Sequence, residues 1–178
     1  MAATATTSDI DYRALWDGAV SFHRFVDEAQ QQQDLWRGVY RLARVPDWAR
    51  TEADLLAPVR WLVIAEDWCG DAANTVPVLA KLAEEAQGVE LRIVRRDEHP
   101  TLMDRYLSPT GAKAIPVVIA LDSDFRPKGW WGSRPSQLQE WVMANLGMEK
   151  TARYLEIRKW YARDRGETTF REVLSVTR

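Results

Sequence analysis

The stretch Trp61–Asp71, WLVIAEDWCGD, limits what this 178-residue chain can fold into more than any other. Five apolar residues, Trp61 to Ala65, run directly into two acids, Glu66 and Asp67. Trp68-Cys69-Gly70-Asp71 follow, and a helical pattern starts at once. The run is short, contains β-branched Val63 and Ile64, and alternates too little for an exposed sheet. It reads as a strand buried on both faces, which implies a parallel or mixed sheet. The single cysteine therefore sits where a strand hands over to a helix. Unpaired backbone N–H groups and the helix dipole favour a thiolate at such a place. Cys69 and its neighbours form the candidate site.

The remaining pattern surrounds this strand with helices. Residues 1–7 are small and polar and read as disordered. Ser8 or Asp9 caps a helix expected to run to about Ala29, with Tyr12, Leu15, Trp16, Ala19, Phe22 and Val26 on one face. The Gln30–Gln33 tract is either a tight turn or a continuation of that helix. A second amphipathic helix carries Leu35, Trp36, Val39 and Tyr40 and stops at Pro46. After the strand, a helix extends to about Gln87 and includes Pro77. Glu90–Arg95 then alternates as a second strand, and a short helix is expected from Pro100 through Leu107. Val117–Leu121 is another buried strand, and Phe125–Trp131 an edge strand that tolerates Pro127. A helix then follows Pro135. The expected order from Trp61 is β-α-β-α-β-β-α: four strands, the first three mutually parallel through helical crossovers and the last antiparallel. The boundaries are a helical leader over 1–57, a central domain over 58–147 and a helical extension over 148–178. That tail holds eight basic and five acidic residues, a net of +3, and reads mainly as a solvated helix face.

Composition removes several function classes. A net charge of −2 gives no reason to expect nucleic acid as a partner. No apolar run approaches a membrane span, and the first residues have neither a basic nor an apolar signal region. One cysteine cannot close an internal disulfide, which agrees with a reducing, cytoplasmic location. With only His23 and His99, a His/Cys zinc site is not expected. There is no phosphate loop and no nucleophile elbow. No metal and no cofactor are expected.

These elements and motifs together resemble the thioredoxin superfamily. Trp68-Cys69-Gly70-Asp71-Ala72 aligns with the family's W-C-G-P-C redox loop. Asp97, Pro100, Tyr106 and Ala114-Ile115-Pro116 follow its second half, where an isoleucine–proline pair precedes the next strand. The helical leader and the E-D-W-C-G-D loop are similar to a little-characterised branch of thioredoxin family proteins. The resemblance covers roughly residues 58–147. It implies an α/β, thioredoxin-like three-layer sandwich with helices on both faces of a mixed sheet. It also implies a cis Ile115–Pro116 bond facing Cys69, and a groove in which Trp68, Gly70, Asp71, Ile115 and Pro116 contact the substrate.

Three departures reshape the expected function. Ala72 stands where the family has its resolving cysteine, so an internal disulfide cannot release a mixed one. Val63 stands where thioredoxins usually bury an acid. Asp71 replaces the loop proline and sets a negative charge beside the thiol. A dithiol reductase is therefore not expected. The leading expectation is a monothiol protein whose Cys69 forms mixed disulfides with protein thiols or a small thiol, resolved by an external thiol. The alternative is a redox-inactive module that docks a partner between Trp68 and Pro116. A glutathione-holding, glutaredoxin-like protein ranks below both, because Ala114-Ile115 precede Pro116 and no later Gly-Gly pair exists. Asp71 is balanced between helix capping and ligand contact, and Cys69 is expected to be accessible and somewhat more acidic than a free thiol. Gly129-Trp130-Trp131-Gly132 reads as packing before ligand platform.

Overall fold

A computed structural model describes residues 9–178, so the segment 1–7 and the capping candidate Ser8 lie outside the described residues. A five-stranded mixed sheet forms the centre, with strand order β1-β3-β2-β4-β5. The strands are β1 (Val20–Ser21), β2 (Val59–Ala65), β3 (Val89–Arg95), β4 (Val117–Leu121) and β5 (Pro127–Gly132). β2, which contains the Trp61–Ala65 run, is the middle strand. Trp61 through Ala65 are all fully buried, so both faces of its centre are covered. Trp61 also donates its indole N–H to Thr177 Oγ1 at 3.1 Å, which ties the strand to the last helix.

Nine α-helices surround the sheet among the described residues: α1 (Tyr12–Gly18), α2 (Phe22–Glu28), α3 (Gln33–Leu42), α4 (Asp47–Leu56), α5 (Gly70–Glu85), α6 (Pro100–Met103), α7 (Ser136–Ala144), α8 (Lys150–Asp164) and α9 (Glu167–Thr177). One continuous core joins Trp16, Phe25 and Trp36 of the leader, the central strands, and Phe170, Val173 and Leu174 of the tail. A smaller cluster, Leu138, Val142, Ile157 and Tyr161, binds α7 to α8.

Several sequence expectations are corrected. The single helix expected up to Ala29 is two helices with a strand between them. Ala19 turns extended, Val20 pairs antiparallel with Ile93 on the open edge of β3, and Ser21 restarts the helix by accepting the Arg24 N–H. Pairing the β3 edge satisfies main-chain groups that would otherwise be exposed, and it adds a fifth strand to the four expected. β2 and β3 are parallel as expected, but β4 runs antiparallel to β2. The β3-to-β4 connection contains one 3-10 turn, Arg96–Glu98, and the four-residue α6, which ends at Met103 rather than Leu107. A long loop follows, which lets the chain enter β4 in the reverse direction. β4 and β5 pair antiparallel, with a register shift at Ala120/Leu121 where Pro127 begins the edge strand.

The Gly-Trp-Trp-Gly stretch is built for packing. A Cβ on Gly129 would lie 2.3 Å from the Val176 carbonyl oxygen of α9, and one on Gly132 would lie 2.5 Å from the Pro116 oxygen. Glycine is what lets these backbones approach. Trp131 is buried and donates to Glu172 Oε2 at 2.6 Å, while Trp130 meets Tyr106 edge-on.

Candidate functional site

The turn after β2 has a buried side and an open side. On the buried side, Glu66 and Asp67 are both more than nine-tenths buried, yet each carboxylate faces backbone donors. Asp97 donates its N–H to Glu66 Oε1 at 3.0 Å. Gln30 and Gln31 donate theirs to Asp67 Oδ2 at 2.7 and 3.2 Å. Trp36 donates its indole N–H to the Asp67 carbonyl at 2.9 Å, and the Gln32 amide reaches the Trp68 carbonyl. The Gln tract is thus a tight turn, with Gln32 in the left-handed region (φ 53°) immediately before α3. Its exposed N–H groups hold the cysteine loop from behind. Both carboxylates are thus engaged by main-chain donors on the side of the loop away from the cleft lining.

Cys69 itself caps α5. Its Sγ accepts from the Ala72 N–H at 3.5 Å and donates to the Ile115 carbonyl at 3.4 Å. Asp71 is therefore not the helix cap. The Ile115–Pro116 peptide bond is cis. Cys69 is 9% exposed, less than expected, and burial pushes its thiol up to about 11. The Asp71 charge acts in the same direction. N–H donation from Ala72 and Asp71 and the positive charge of Arg134 act against it without prevailing. This corrects the expected mild activation. Desolvation of the thiolate outweighs the helix terminus because the sulfur sits under the loop instead of at its rim.

Asp71 instead belongs to a small ionic cluster. Arg134 Nε lies 2.8 Å from Asp71 Oδ2, a close ion pair off the ideal hydrogen-bond line. Tyr161 of α8 donates its hydroxyl to Asp71 Oδ1 at 2.8 Å. The Asp71 charge holds the Arg134 guanidinium above its usual range. Burial, then Asp71, pushes the Tyr161 phenol well up, so it remains a neutral donor.

Above this cluster opens a cleft of about 500 Å³. Trp68, Cys69, Gly70, Asp71 and Ile115 line it, joined by residues the sequence did not single out for a site. Pro116 is buried directly behind Ile115 and is not on the lining. Arg96, Lys113, Arg134 and Arg158 line the cleft with one carboxylate, Asp71. Outside the lining, Arg96 pairs with Asp97 at 2.9 Å and Lys113 with Asp104 at 2.8 Å, both exposed pairs that a ligand could exchange. Trp68 is 40% exposed, and the Arg96 guanidinium lies 4.9 Å from its ring centre, within cation–π range. The Lys113–Ile115 main chain along the cleft forms no backbone–backbone hydrogen bond among the described residues. The tail closes one side through Tyr154, Ile157 and Arg158. A basic residue in the loop before the proline pair, Lys113, was the available sequence signal. Arg134 and Arg158 come from distant segments and carry none.

No group of three or more His, Cys, Asp or Glu side chains able to hold a metal occurs among the described residues. No helix of the described residues is long and apolar enough to cross a membrane.

Comparison with known proteins agrees with the architecture. No curated protein matches the chain. A solved protein of unknown function from Pseudomonas aeruginosa is similar over 94% of this chain and 97% of its own, with 22% identity and a TM-score of 0.73. An HIV epitope scaffold is similar over the same shares, with 20% identity and a TM-score of 0.72. At these identities the likeness concerns the fold alone. A thioredoxin family model matches residues 19–153, from β1 through the sheet and into α8, and the chain belongs to that family.

Proposed function

We infer that this protein is a thioredoxin-fold binding module that docks an extended, acidic segment of a partner protein in the cleft over Cys69. One observation carries the reading. The cleft pairs a desolvated thiol, pushed up to about 11, with more cations than carboxylates on its lining and with Lys113–Ile115 N–H groups that lack a partner among the described residues. At neutral pH such a thiol is almost wholly protonated, and the thiolate is the nucleophile. The Lys113–Ile115 N–H groups suit strand-like pairing with an extended chain, whose main chain supplies affinity, while the Lys113 and Ile115 carbonyls accept from Arg96 and the Cys69 thiol and would have to exchange partners. Arg96, Lys113 and Arg158 suit carboxylate side chains, and Trp68 offers an aromatic anchor.

The monothiol reading keeps one specific support: the Cys69 side chain lines the cleft and its Sγ faces Ile115. In that chemistry the Cys69 thiolate attacks a disulfide RS–SR′, forming Cys69–S–SR and releasing R′S⁻. An external thiol R″SH then attacks the mixed disulfide, giving RS–SR″ and restoring the Cys69 thiol.

The test uses ten-residue acidic peptides without cysteine, together with oxidised glutathione at pH 7.5. Docking expects selected peptides to bind wild type and Cys69→Ser equally, and Arg96→Gln/Lys113→Gln at least tenfold more weakly. It also expects no mixed disulfide within an hour. Absence of peptide binding together with rapid glutathionylation of Cys69 would overturn docking in favour of the monothiol reading.

A further inference from the structure

A second groove opens beside the cleft, between α3 and α8 with α5 beneath, and has a volume of about 730 Å³. That falls within the range of small-molecule sites. The α3 wall is an apolar stripe, Leu35, Val39 and Leu42, spaced at i, i+4 and i+7 on one helix face. Leu42 is 71% exposed, although Trp36 on the same helix is fully buried against the leader core. Val78 of α5 adds to the apolar lining. Gly166 comes down onto it so closely that a Cβ there would lie 3.1 Å from a Val78 methyl.

The charged rim is one-sided. Arg44, Arg158 and Arg165 border the groove, and no Asp or Glu does. Arg44 spends its guanidinium on the carbonyls of Arg41, Leu42 and Ala43, at the end of α3. Arg158 lies on α8, and Arg165 is the left-handed residue that ends it, about 10 Å further along at the helical rise. Among the described residues neither guanidinium has a side-chain or backbone acceptor. Arginines elsewhere are commonly paired, as Arg24 is with Glu28, Arg37 with Asp27, and Arg171 with Glu167. An apolar slot with unpaired guanidinium groups at its edge is complementary to a ligand with a hydrocarbon chain and an anionic head. A docked helix, about 10–12 Å across with its side chains, would stand largely outside this volume.

We propose that the α3–α8 groove binds a single-chain anionic amphiphile of the fatty-carboxylate class. Its chain lies along Leu35, Val39, Leu42 and Val78, and its carboxylate on Arg158 of α8 and Arg165 at the end of that helix. The groove shares Gln32, Asn74 and Arg158 with the cleft over Cys69, so the two sites adjoin. Arg165, Val39 and Leu42 belong to the second groove alone. The assignment stands independently of peptide docking.

Calorimetric titration of the full chain with hexanoate, octanoate and decanoate, below their micelle concentrations, tests it. Affinity should rise about fourfold per buried methylene. Octanol should bind at least tenfold more weakly than octanoate. Arg165→Gln should weaken octanoate severalfold and leave octanol unchanged, whereas Leu42→Glu should weaken both. Leu42 is exposed, so that variant is expected to fold, and its circular dichroism checks this. Acidic-peptide binding in the cleft should survive both substitutions. No saturable octanoate binding at millimolar concentration, equal affinity for octanol, or indifference to Arg165→Gln and Leu42→Glu would each overturn the proposal. Displacement of octanoate by an acidic amphipathic helix of higher affinity would do the same, since it would make a peptide the occupant.

Discussion

The leader and the tail both reach the cysteine loop, but they hold it by different physics. The leader approaches from behind with main-chain donors: Gln30 and Gln31 point their N–H groups at Asp67, itself more than nine-tenths buried. The tail approaches from the front with a side chain, the Tyr161 hydroxyl on Asp71, and with the unpaired Arg158. A carboxylate more than nine-tenths buried and held by backbone amides is fixed in place, because leaving them would cost it two charge-assisted hydrogen bonds. A half-open ionic cluster at a cleft wall can exchange partners with a ligand. The back of the loop is therefore its anchor, and the front is where binding energy can act.

The largest effect should come from the anchor. Asp67→Ala removes a charged acceptor from two part-buried N–H groups and should cost about 3 kcal/mol. That corresponds to roughly 8 °C in Tm for a chain of this size, read by thermal unfolding. A loss below about 1 kcal/mol would mean that the leader does not fix the loop. Next comes Asp71→Asn. It leaves Arg134 without its counter-charge at a site where the Arg134 side chain is 22% and the Asp71 side chain 12% exposed. Breaking a fully buried pair costs about 3–5 kcal/mol, and partial exposure reduces this to about 2. The same substitution removes a charge that raises the Cys69 thiol, so that thiol should become more acidic. If labelling of Cys69 near neutral pH does not speed up in Asp71→Asn, the carboxylate has no electrostatic hold on the sulfur.

A pH scan separates the thiol from its neighbours. Its folded-state pKa of about 11 lies above the ordinary 9.0. Above pH 9 the unfolded chain releases this proton while the folded chain retains it, so stability falls as pH rises from about 9 to about 11. Wild type should lose about 2 kcal/mol more across this window than Cys69→Ser, measured by urea denaturation. Identical pH profiles would mean that the thiol is not desolvated. The smallest effect belongs to the front wall: Tyr161→Phe removes one hydrogen bond to a charged group and should cost about 1–2 kcal/mol. A cost matching that of Asp67→Ala would erase the distinction between anchor and wall.

How much of this was legible in the sequence follows the same division. Trp61–Ala65 announced a central strand because an unbroken apolar run has few other uses, and Cys69 at its end marked the turn. The position of the proline pair beside the cysteine was legible through the family's motif. The break at Gly18–Ser21 was not, because Val20 leaves the helical pattern only to pair with Ile93, a partner more than seventy residues away. The direction of β4 was misread because a crossover helix was assumed in a connection whose helical parts are only Arg96–Glu98 and Pro100–Met103. At the site, Asp71 gave no sign of whether it caps α5 or pairs with Arg134 and Tyr161, since those partners arrive through tertiary packing. The acidity of Cys69 was misjudged for a related reason. Charge can be counted along the chain, but desolvation depends on what closes over the sulfur.

The proposed docking cleft holds Cys69 as a lining thiol and not as a poised nucleophile. The most direct test of this proposal is the rate of iodoacetamide labelling of the native protein as a function of pH, with the urea-unfolded chain as reference. The expected result is a midpoint near pH 11 and, at pH 7.5, labelling about a hundredfold slower than in the unfolded chain, whose thiol has the ordinary value of 9.0. A native midpoint at or below 9.0, with labelling as fast as in the unfolded chain, would contradict the proposal.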